Sequence, residues 1–446
     1  MRILHYALGF PPYRTGGLTK FCMDLMKEQL LDNDTVALIW PGERLFSNTT
    51  KVVRKGLING IESIEVKNPN PVPYDEGITE IEQFIRCGDF DCYDAFIKSW
   101  KPDVIHIHTF MGLHKSFLAA AKINRVKLVF TAHDFFPLCP KVTVFRDGKI
   151  CESIQDCKDC PQCNLTALSI TQINILQSGL YRNLKDLEFV KKLRKKHRDS
   201  YLSGSSAENV EKADGEADNT AQDYLKLRSH YISMLDYMDV VHYNSTITKN
   251  LYEKIMGERE SVLIPITHSD IKDCRKVKKY DSSLLRVTYM GAYSAGKGFM
   301  LLKEAMDELW EENKNISLNV FFQPPEMSEY IKVHGRYDYS QLESIFDKTD
   351  VLVAPGLMYD TFGYTVLEAL SFGVPVVISS NIGAKDIVNN GEGIVIEDIS
   401  KEKLKKVIGE LDNIRLSEMN KSITESQSFK DVHNMCGNIK KYCYLQ

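Results

Sequence analysis

Short apolar runs alternate with amphipathic stretches along most of the chain, a pattern that indicates β–α units built on parallel strands. In the first half, the apolar runs predict strands at Arg2–Leu8, Thr35–Trp40, Asp103–His108, Lys127–His133, Asp239–Tyr243 and Val262–Ile266. Between them, apolar residues recur at helical spacing over residues 18–31, 78–99, 112–124 and 246–256. We therefore expect an α/β fold with a mostly parallel sheet.

The same pattern begins again after position 283. It predicts strands, with helices between them, at Arg286–Met290, Leu318–Phe322, Val351–Ala354, Val374–Ile378 and Gly393–Ile396. A chain of 446 residues is longer than the roughly 250–300 residues at which one hydrophobic core stops growing, so we expect two domains. They are predicted at 1–270 and 283–415, with a charged linker at Thr267–Ser282 and a C-terminal helix at 416–446 that packs back on the first domain.

An insert interrupts the first domain at residues 136–235. Its first part, 136–163, is rich in proline and cysteine, and its later part contains the basic stretch Lys185–Arg198. That stretch carries an apolar stripe, which is typical of helices that lie on an anionic membrane and would suit a lipid-linked acceptor. A helix packed on its own domain explains the same pattern equally well.

Composition excludes several classes of protein. The net charge of −4 gives no sign of the basic surface that nucleic-acid binding requires. No apolar run reaches the roughly 18 residues of a spanning helix, and the first residues do not resemble a secretory leader. Eleven unevenly spaced cysteines indicate reduced thiols or a metal site rather than a disulfide framework. We therefore expect a cytoplasmic protein, with any membrane contact peripheral and on the inner face.

Glycines mark two of the loops that join a predicted strand to a helix. Gly16 and Gly17 follow the opening strand, and the loop Gly291–Gly298, which contains Lys297, follows the first strand of the second half. Glycines let backbone N–H groups approach a phosphate at a helix start, and a lysine adds the opposite charge. A simple turn and a solvated lysine are the alternative interpretations.

A loop and helix near position 360 carry the clearest chemical signal. Glu368 lies in an otherwise apolar helical run, and a buried carboxylate needs a partner, which the hydroxyls of a ribose would supply. Asp360 precedes that helix, and free N–H groups near Gly363 and Tyr364 would face a phosphate. His133 ends another predicted strand, where a purely structural histidine is the alternative.

In this order, the motifs resemble the family 4 glycosyltransferases of the GT-B fold. The matching features are the Gly16-Gly17 turn, Thr131–Asp134, Lys297-Gly298, the Asp360/Glu368 pair and Gly373–Val377. The resemblance implies two Rossmann-like, doubly wound domains that face a cleft. The segments GGLTKFCMDLMKEQ and TAHDFFPLCPK are most similar to bacterial enzymes of capsular and exopolysaccharide synthesis, rhamnosyltransferases included.

The resemblance also implies an activity. It is a retaining transfer of a sugar from a nucleotide-diphosphate donor to a glycan or lipid-linked saccharide, with no metal required for catalysis. In the family, the residue at Glu368 binds the donor ribose, that at Asp360 the sugar hydroxyls and that at Lys297 the diphosphate. The residue at His133 lies beside the transferred sugar, and the glycine turn approaches the diphosphate.

One departure from the family pattern concerns the diphosphate. Members commonly carry arginine directly after the glycine at 291, where this chain has Ala292. Our hypothesis is that Arg14, in the opposite glycine turn, supplies the missing charge when the cleft closes, and a plain surface side chain is the alternative. Two other functions stay open: a nucleotide-sugar epimerase on the same fold, and a non-catalytic partner subunit of a glycosyltransferase.

Four cysteines of the insert have the spacing of a metal site. Cys151, Cys157, Cys160 and Cys163 form C-x5-C-x2-C-x2-C, with Cys139 a little upstream. Two adjoining C-x2-C steps are typical of structural zinc knuckles, in which thiolates surround the ion tetrahedrally. Free thiols and a disulfide are equally compatible with the spacing.

Elemental analysis decides between these alternatives. Protein purified without chelator is expected to carry close to one zinc per chain, because four thiolates complete a tetrahedral site. A metal content well below one equivalent would contradict the prediction.

Overall fold

The computed structural model describes residues 1–45, 49–73, 76–184, 187–188, 192, 219–426 and 431–446. Its first sheet has eight strands in the order β10-β9-β6-β5-β1-β2-β4-β3. Their bounds are β1 Arg2–Tyr6, β2 Thr35–Pro41, β3 Lys51–Ile58, β4 Ile61–Lys67, β5 Val104–Ile107, β6 Lys127–Ala132, β9 Val240–Tyr243 and β10 Ser261–Leu263. Neighbouring strands run parallel except in the β3–β4 hairpin.

The second large sheet has six strands in the order β13-β12-β11-β14-β15-β16, all parallel to their neighbours. Their bounds are β11 Leu285–Tyr289, β12 Ile316–Val320, β13 Ile331–Val333, β14 Val351–Ala354, β15 Val376–Ser379 and β16 Gly393–Ile396. A small hairpin in the insert pairs β7 Phe145–Arg146 with β8 Lys149–Ile150. The α/β class predicted from the alternating pattern is confirmed.

Helices cover both large sheets. In the first half and its insert they are Gly17–Leu31, Ile81–Phe84, Phe90–Trp100, Lys115–Ile123, Cys160–Cys163, Ile170–Leu176, Gly179–Leu184, Ala221–Leu235 and Thr246–Met256. In the second half they are Phe299–Glu312, Leu342–Asp347, Tyr364–Ser371, Lys401–Gly409, Asn413–Glu425 and Val432–Ile439. Among the described helices, none combines the length and the apolar character needed to cross a bilayer.

In the first half, one predicted helix was wrong and one hairpin was missed. The single helix predicted at 78–99 is two helices, because Gly88 adopts a positive φ of 79° and the Asp89 side chain then caps the second helix by accepting from the Cys92 N–H. The β3–β4 hairpin was missed, although Asn59 and Gly60 form the left-handed turn that such a dipeptide favours. Strand β3 is largely exposed, so it lacks the apolar alternation of a half-buried strand.

The C-terminal residues contact both halves. Helix Asn413–Glu425 packs on the second sheet through Leu416 and Met419. After 427–430, which lie outside the described residues, the helix Val432–Ile439 and the turn Lys440–Tyr444 pack on the first domain. There Lys440 pairs with Asp34 at 2.7 Å. The predicted helix at 416–446 is therefore two helices on two different surfaces.

The insert is described at both of its ends. Its first part folds back on the sheet, where Asn164 accepts from the Ile78 N–H at 2.9 Å and Gln177 accepts from the Val72 N–H at 2.8 Å. The basic stretch Lys185–Arg198, predicted to contact a membrane, lies outside the described residues apart from 187, 188 and 192. That contact stays a prediction.

Candidate active site

A cavity of about 320 Å³ lies where the carboxyl ends of the two sheets meet. Gly17, Leu18 and His133 line it from the first half, and the loops that follow β11 and β14 line it from the second. Ligand crevices of doubly wound sheets form at the carboxyl ends of strands. The volume is at the lower end of the roughly 300–1,000 Å³ of small-molecule sites.

Three helices begin at or beside this cavity, each from a glycine. The glycines at their N-caps are Gly16, Gly298 and Gly363, and none of the three helix starts receives a side-chain cap. Several other helices are capped by serine, threonine or aspartate side chains, among them those starting after Ser169, Thr220 and Ser400. Uncapped first turns present free N–H groups and the positive end of the helix dipole, so this wall suits an anion.

Close packing and a positive φ explain why glycine is needed at two of these positions. Gly298 has a φ of 76°, and a Cβ there would lie 2.0 Å from the carbonyl oxygen of Pro355. Gly363 has a φ of 94°, and a Cβ there would lie 2.6 Å from the Ile382 side chain. Any other residue at Gly298 would push two backbone segments apart, and any other residue at Gly363 would displace the Ile382 side chain.

The one cation and the one carboxylate among the described lining residues form an ion pair. Lys297 Nζ lies 2.5 Å from Asp360 Oδ2, and both side chains are partly exposed to the cavity. The backbone of Asp360 is anchored at both ends, since its N–H donates to Asn381 O and its carbonyl accepts from Gly383 N–H, each at 2.9 Å. The pair is thus a fixed charged feature of a cavity that is otherwise lined by neutral side chains and backbone.

His133 lies at the end of β6 and lines the opposite side of the cavity. Its ring packs edge-on against the buried Phe21 ring, 4.6 Å between centroids. Burial lowers the pKa of His133 to about 3, so the imidazole is neutral near pH 7. A neutral imidazole acts here through hydrogen bonding rather than through charge.

Hydrogen bonds join the two halves beside His133. The Thr361 hydroxyl donates to the carbonyl of His133 at 2.9 Å, and the Ser245 hydroxyl donates to the carbonyl of Thr361 at 2.6 Å. Thr246 is held in turn by the Asp386 carboxylate, which accepts from its N–H and its hydroxyl. The cavity is therefore bounded by a firm contact between the halves.

Comparison with known proteins agrees with this architecture. The family model described as Glycosyl transferases group 1 matches residues 270–427, and that of Glycosyltransferase Family 4 matches residues 15–151. Between them, the two models take in both sides of the cavity. The chain belongs to the GT-B glycosyltransferases.

Solved structures show the same fold at low identity. HepE from Anabaena, solved with UDP and glucose, has a TM-score of 0.53 and 16% identity, with 99% of this chain and 98% of that chain covered. The UDP-forming trehalose-phosphate synthase of Burkholderia xenovorans has a TM-score of 0.55 and 11% identity, with 99% of each chain covered. The GT-B fold predicted from the motifs is confirmed.

A curated relative matches over a short region. It is a GDP-mannose-dependent monoacylated phosphatidylinositol monomannoside mannosyltransferase of Corynebacterium glutamicum. The identity is 30% over 102 residues, which is 21% of this chain and 27% of that protein. The match thus spans about a quarter of the relative.

The structure brings most of the sequence-predicted site residues of this glycosyltransferase together. Those that line the cavity are Gly17, His133, Lys297, Asp360, Gly363 and Tyr364. Gly16 directly precedes the lining, whereas Arg14 lies outside it, with its guanidinium carbon 4.9 Å from the centre of the Tyr13 ring. The proposed contact of Arg14 with a diphosphate therefore requires its loop to move.

Glu368 also lies outside the cavity lining. Its side chain is buried, as expected from the sequence, and its Oε1 is 3.7 Å from Nε2 of the buried His268. The rings of Tyr339 and Tyr364 flank His268 at 4.9 and 5.0 Å. Burial and the negative charge of Glu368 raise the pKa of Tyr339 to about 12. Glu368 thus packs against His268, which lies between the rings of Tyr339 and Tyr364.

Sequence reasoning missed several lining residues. The main ones are Asn244, Tyr289, Met358 and Thr361. A usable signal existed, because Asn244 and Tyr289 stand at the carboxyl ends of β9 and β11, where ligand-facing residues collect. Thr361 directly follows the predicted Asp360. Its role in joining the halves depends on the fold and leaves no trace in the local pattern.

The cysteines of the insert lie away from the cavity. Backbone N–H groups of Val144 and Lys141 donate to the Cys139 thiol, whose pKa burial raises to about 12. The buried Arg228 lies within electrostatic reach of Cys151, Cys157 and Cys160. In the described part of the chain, no three of the insert's sulfur atoms are within 4.8 Å of one another, so zinc binding would require them to draw together. The zinc site stays a prediction.

The neutral histidines near the cavity predict how stability depends on pH. Burial lowers the pKa of His5 and of His242 from 6.5 to about 4. Between these values the unfolded chain binds more protons than the folded chain, so the free energy of unfolding falls as the pH falls. The expected loss is about 1.4 kcal/mol per pH unit for each such histidine. Burial raises the pKa of Asp134 to about 6, so at this group the folded chain binds more protons than the unfolded chain. Over part of the interval, this offsets the loss of stability from one histidine.

Urea midpoints measured from about pH 7 down to about pH 5 test this expectation. A midpoint that does not change over this interval would show that the buried histidines are not held neutral.

Proposed function

We propose that this glycosyltransferase moves a sugar from a nucleotide-diphosphate donor to a glycan or lipid-linked saccharide with retention of anomeric configuration, in bacterial surface polysaccharide synthesis. The observation that carries the proposal is the cavity that Lys297 lines, with three uncapped helix starts at or beside it. Such a wall suits the diphosphate, on which negative charge grows as the sugar leaves.

The ion pair between Lys297 and Asp360 has a place in this scheme. We propose that Lys297 stabilises the leaving diphosphate while Asp360 accepts hydrogen bonds from hydroxyls of the donor sugar. Because the two side chains already touch, a donor that contacts one of them would lie beside the other. The arrangement supplies charge stabilisation without a metal ion.

Retention is supported by what the cavity offers as a base. An inverting reaction requires a carboxylate or similar base on the face opposite the leaving group. Among the described lining residues, Asp360 is the one carboxylate, and it is engaged by Lys297. Asp134 does not line the cavity, and its side chain accepts from the N–H of Phe136. Proton NMR of the anomeric signal of the first product formed tests retention directly.

The donor's ribose is proposed to reach Glu368. This requires a rearrangement near Tyr339, which is 42% exposed and packs against the His268 ring beside Glu368. The two carboxylate oxygens of Glu368 accept hydrogen bonds well from a pair of neighbouring hydroxyls. The nucleoside of the donor would thus lie beside Glu368, beyond the start of the helix Tyr364–Ser371. The sugar to be transferred would lie within the cavity.

The alternative functions differ in what they consume. An epimerase would convert the donor sugar without an acceptor, and a non-catalytic partner would bind donor without turnover. A thermal-shift screen of nucleotide sugars identifies the donor first, since a ligand raises stability by mass action. GDP-mannose and UDP-glucose are the first donors to try, because similar proteins use or bind them. Acceptor-dependent release of nucleoside diphosphate then distinguishes transfer from the alternatives.

Substitution of the site residues is expected to reduce transfer. Lys297→Ala and Glu368→Gln should each lower turnover at least tenfold to a hundredfold, because a charge-assisted hydrogen bond contributes ~1.5–3 kcal/mol. The exposed pair Lys314 and Glu311, 3.5 Å apart, provides matched controls through Lys314→Ala and Glu311→Gln. Near-normal turnover of both site variants, with thermal stability unchanged, would refute the site assignment.

Arg14 is expected to assist the diphosphate if the loop closes. Arg14→Ala should raise the donor KM or lower kcat by about tenfold, the effect of losing one charged hydrogen bond. Ala292→Arg in that background should restore part of the loss. If Arg14→Ala has no effect on an active enzyme, Lys297 and the backbone donors suffice. If the wild type turns over no donor, the non-catalytic alternative holds.

A further inference from the structure

Five histidines of the first domain lie together beneath the cavity. They come from four adjacent strands or their ends: His5 on β1, His106 on β5 and His108 just after it, His133 after β6, and His242 on β9. All but His133 are completely buried. Of the five, only His133 lines the cavity, so the other four need an explanation of their own.

One end of the cluster is anchored on a backbone carbonyl. His242 Nε2 lies 2.8 Å from the carbonyl oxygen of Ile264, and His242 Nδ1 lies 2.9 Å from the Thr131 hydroxyl. That hydroxyl lies 2.6 Å from His106 Nε2, and His106 Nδ1 lies 2.7 Å from the Tyr444 hydroxyl. The line of contacts thus crosses from β9 to the C-terminal turn.

The other end reaches the cavity. Gln29 Nε2 donates to the Tyr444 hydroxyl at 3.1 Å, and Gln29 Oε1 lies 2.7 Å from His5 Nε2. His5 Nδ1 is 2.9 Å from His108 Nε2, and His108 Nδ1 is 3.3 Å from His133 Nε2. Eight consecutive hydrogen bonds therefore connect the carbonyl of Ile264 to His133.

The carbonyl sets the direction of every bond in this chain. A carbonyl oxygen only accepts, so His242 must carry its proton on Nε2. Burial keeps His242 neutral, with a pKa of about 4, so its Nδ1 has no proton and accepts from Thr131. The Thr131 hydroxyl proton is used in that bond, so the Thr131 oxygen accepts from Nε2–H of His106. His106 is neutral, so its Nδ1 accepts from the Tyr444 hydroxyl.

The direction continues through Gln29 to the cavity. The Tyr444 oxygen accepts from the Gln29 amide, which leaves the Gln29 oxygen to accept from Nε2–H of His5. His5 Nδ1 then accepts from Nε2–H of His108, and His108 Nδ1 accepts from Nε2–H of His133. If the Gln29 amide were reversed, every bond from Tyr444 to His242 would reverse as well, and His242 would carry a proton on both ring nitrogens. The low pKa of His242 opposes that charged form.

We propose that this chain of hydrogen bonds fixes His133 in the tautomer that carries its proton on Nε2, so that Nδ1 meets a bound sugar only as a hydrogen-bond acceptor, with Tyr444 as a positioning residue. The inference rests on the proposed function in one respect, the identity of the ligand as a sugar. Nδ1 of His133 selects for a hydroxyl group, which can donate, and against a carbonyl or ether oxygen, which cannot. The other tautomer would present an N–H to the sugar and leave His133 without a bond to His108.

NMR of protein labelled with ¹⁵N-histidine tests the tautomer in the absence of any donor. In the wild type, His133 Nδ1 is expected to show the chemical shift of an unprotonated ring nitrogen and Nε2 that of a protonated one. His133→Gln identifies the signals by removing them. A proton on Nδ1 of His133, or on both nitrogens near neutral pH, would overturn the inference.

Two variants at residues distant from the cavity test the direction of the hydrogen bonds. Tyr444→Phe removes one hydroxyl and leaves the Gln29 amide unconstrained, so the two shifts of His133 should move toward each other as the tautomers mix. Thr131→Val interrupts the chain closer to Ile264 and should have the same effect. Tyr442→Phe, the same chemical change on a hydroxyl outside the chain, is the matched control. Unchanged His133 shifts in a folded Tyr444→Phe protein would contradict the role of Tyr444.

Kinetics separate this inference from the proposed function. With the donor identified by the screen, Tyr444→Phe and Thr131→Val should raise the donor KM about twofold to tenfold. The increase reflects the smaller fraction of protein in which His133 carries its proton on Nε2. Tyr442→Phe should leave it unchanged. If the NMR result holds but no nucleotide sugar binds, the proposed function fails while the tautomer assignment stands. If donor turnover is normal but the tautomer is Nδ1–H, the inference fails and the function stands.

Discussion

The hydrogen bond from the Thr361 hydroxyl to the carbonyl of His133 ties the two sheets together at the cavity. It joins the end of β6 to the loop after β14, so that His133 and Asp360 face the same space. The Ser245 hydroxyl reinforces it by donating to the carbonyl of Thr361. The cavity keeps its shape only while this contact persists, because each half supplies one wall.

Much of the fold could be predicted from the sequence because strands and helices leave local periodic patterns. The family resemblance assigned Lys297 and Asp360 to one site, and in the structure they follow β11 and β14, which are neighbours in the sheet. Strand β3 could not be recognised by its pattern, because its exposed residues do not alternate. The burial of Glu368 was predictable from its apolar neighbours. Its contact with His268 was not, because it depends on where the fold places His268 against Tyr364 and Glu368.

The histidine chain shows a different limit of sequence reasoning. His5, His106 and His242 are far apart in sequence and look unrelated there. Only the strand order, with β9, β6, β5 and β1 side by side, brings them into contact. Buried polar groups are costly unless every one of them is satisfied. A run of neutral imidazoles meets that demand with few atoms, because each ring both donates and accepts.

The glycine-led helix starts have a consequence for how such proteins diverge. Recognition of an anion by backbone N–H groups does not depend on the identity of most neighbouring side chains, so those side chains are free to change. Structures that share only 11% and 16% of their residues with this chain keep the same fold. If the wall binds a donor diphosphate as proposed, preference for a particular sugar or base resides in the side chains around that wall. Donor preference can in this way drift through evolution, or be altered by engineering, without rebuilding the phosphate end of the cleft.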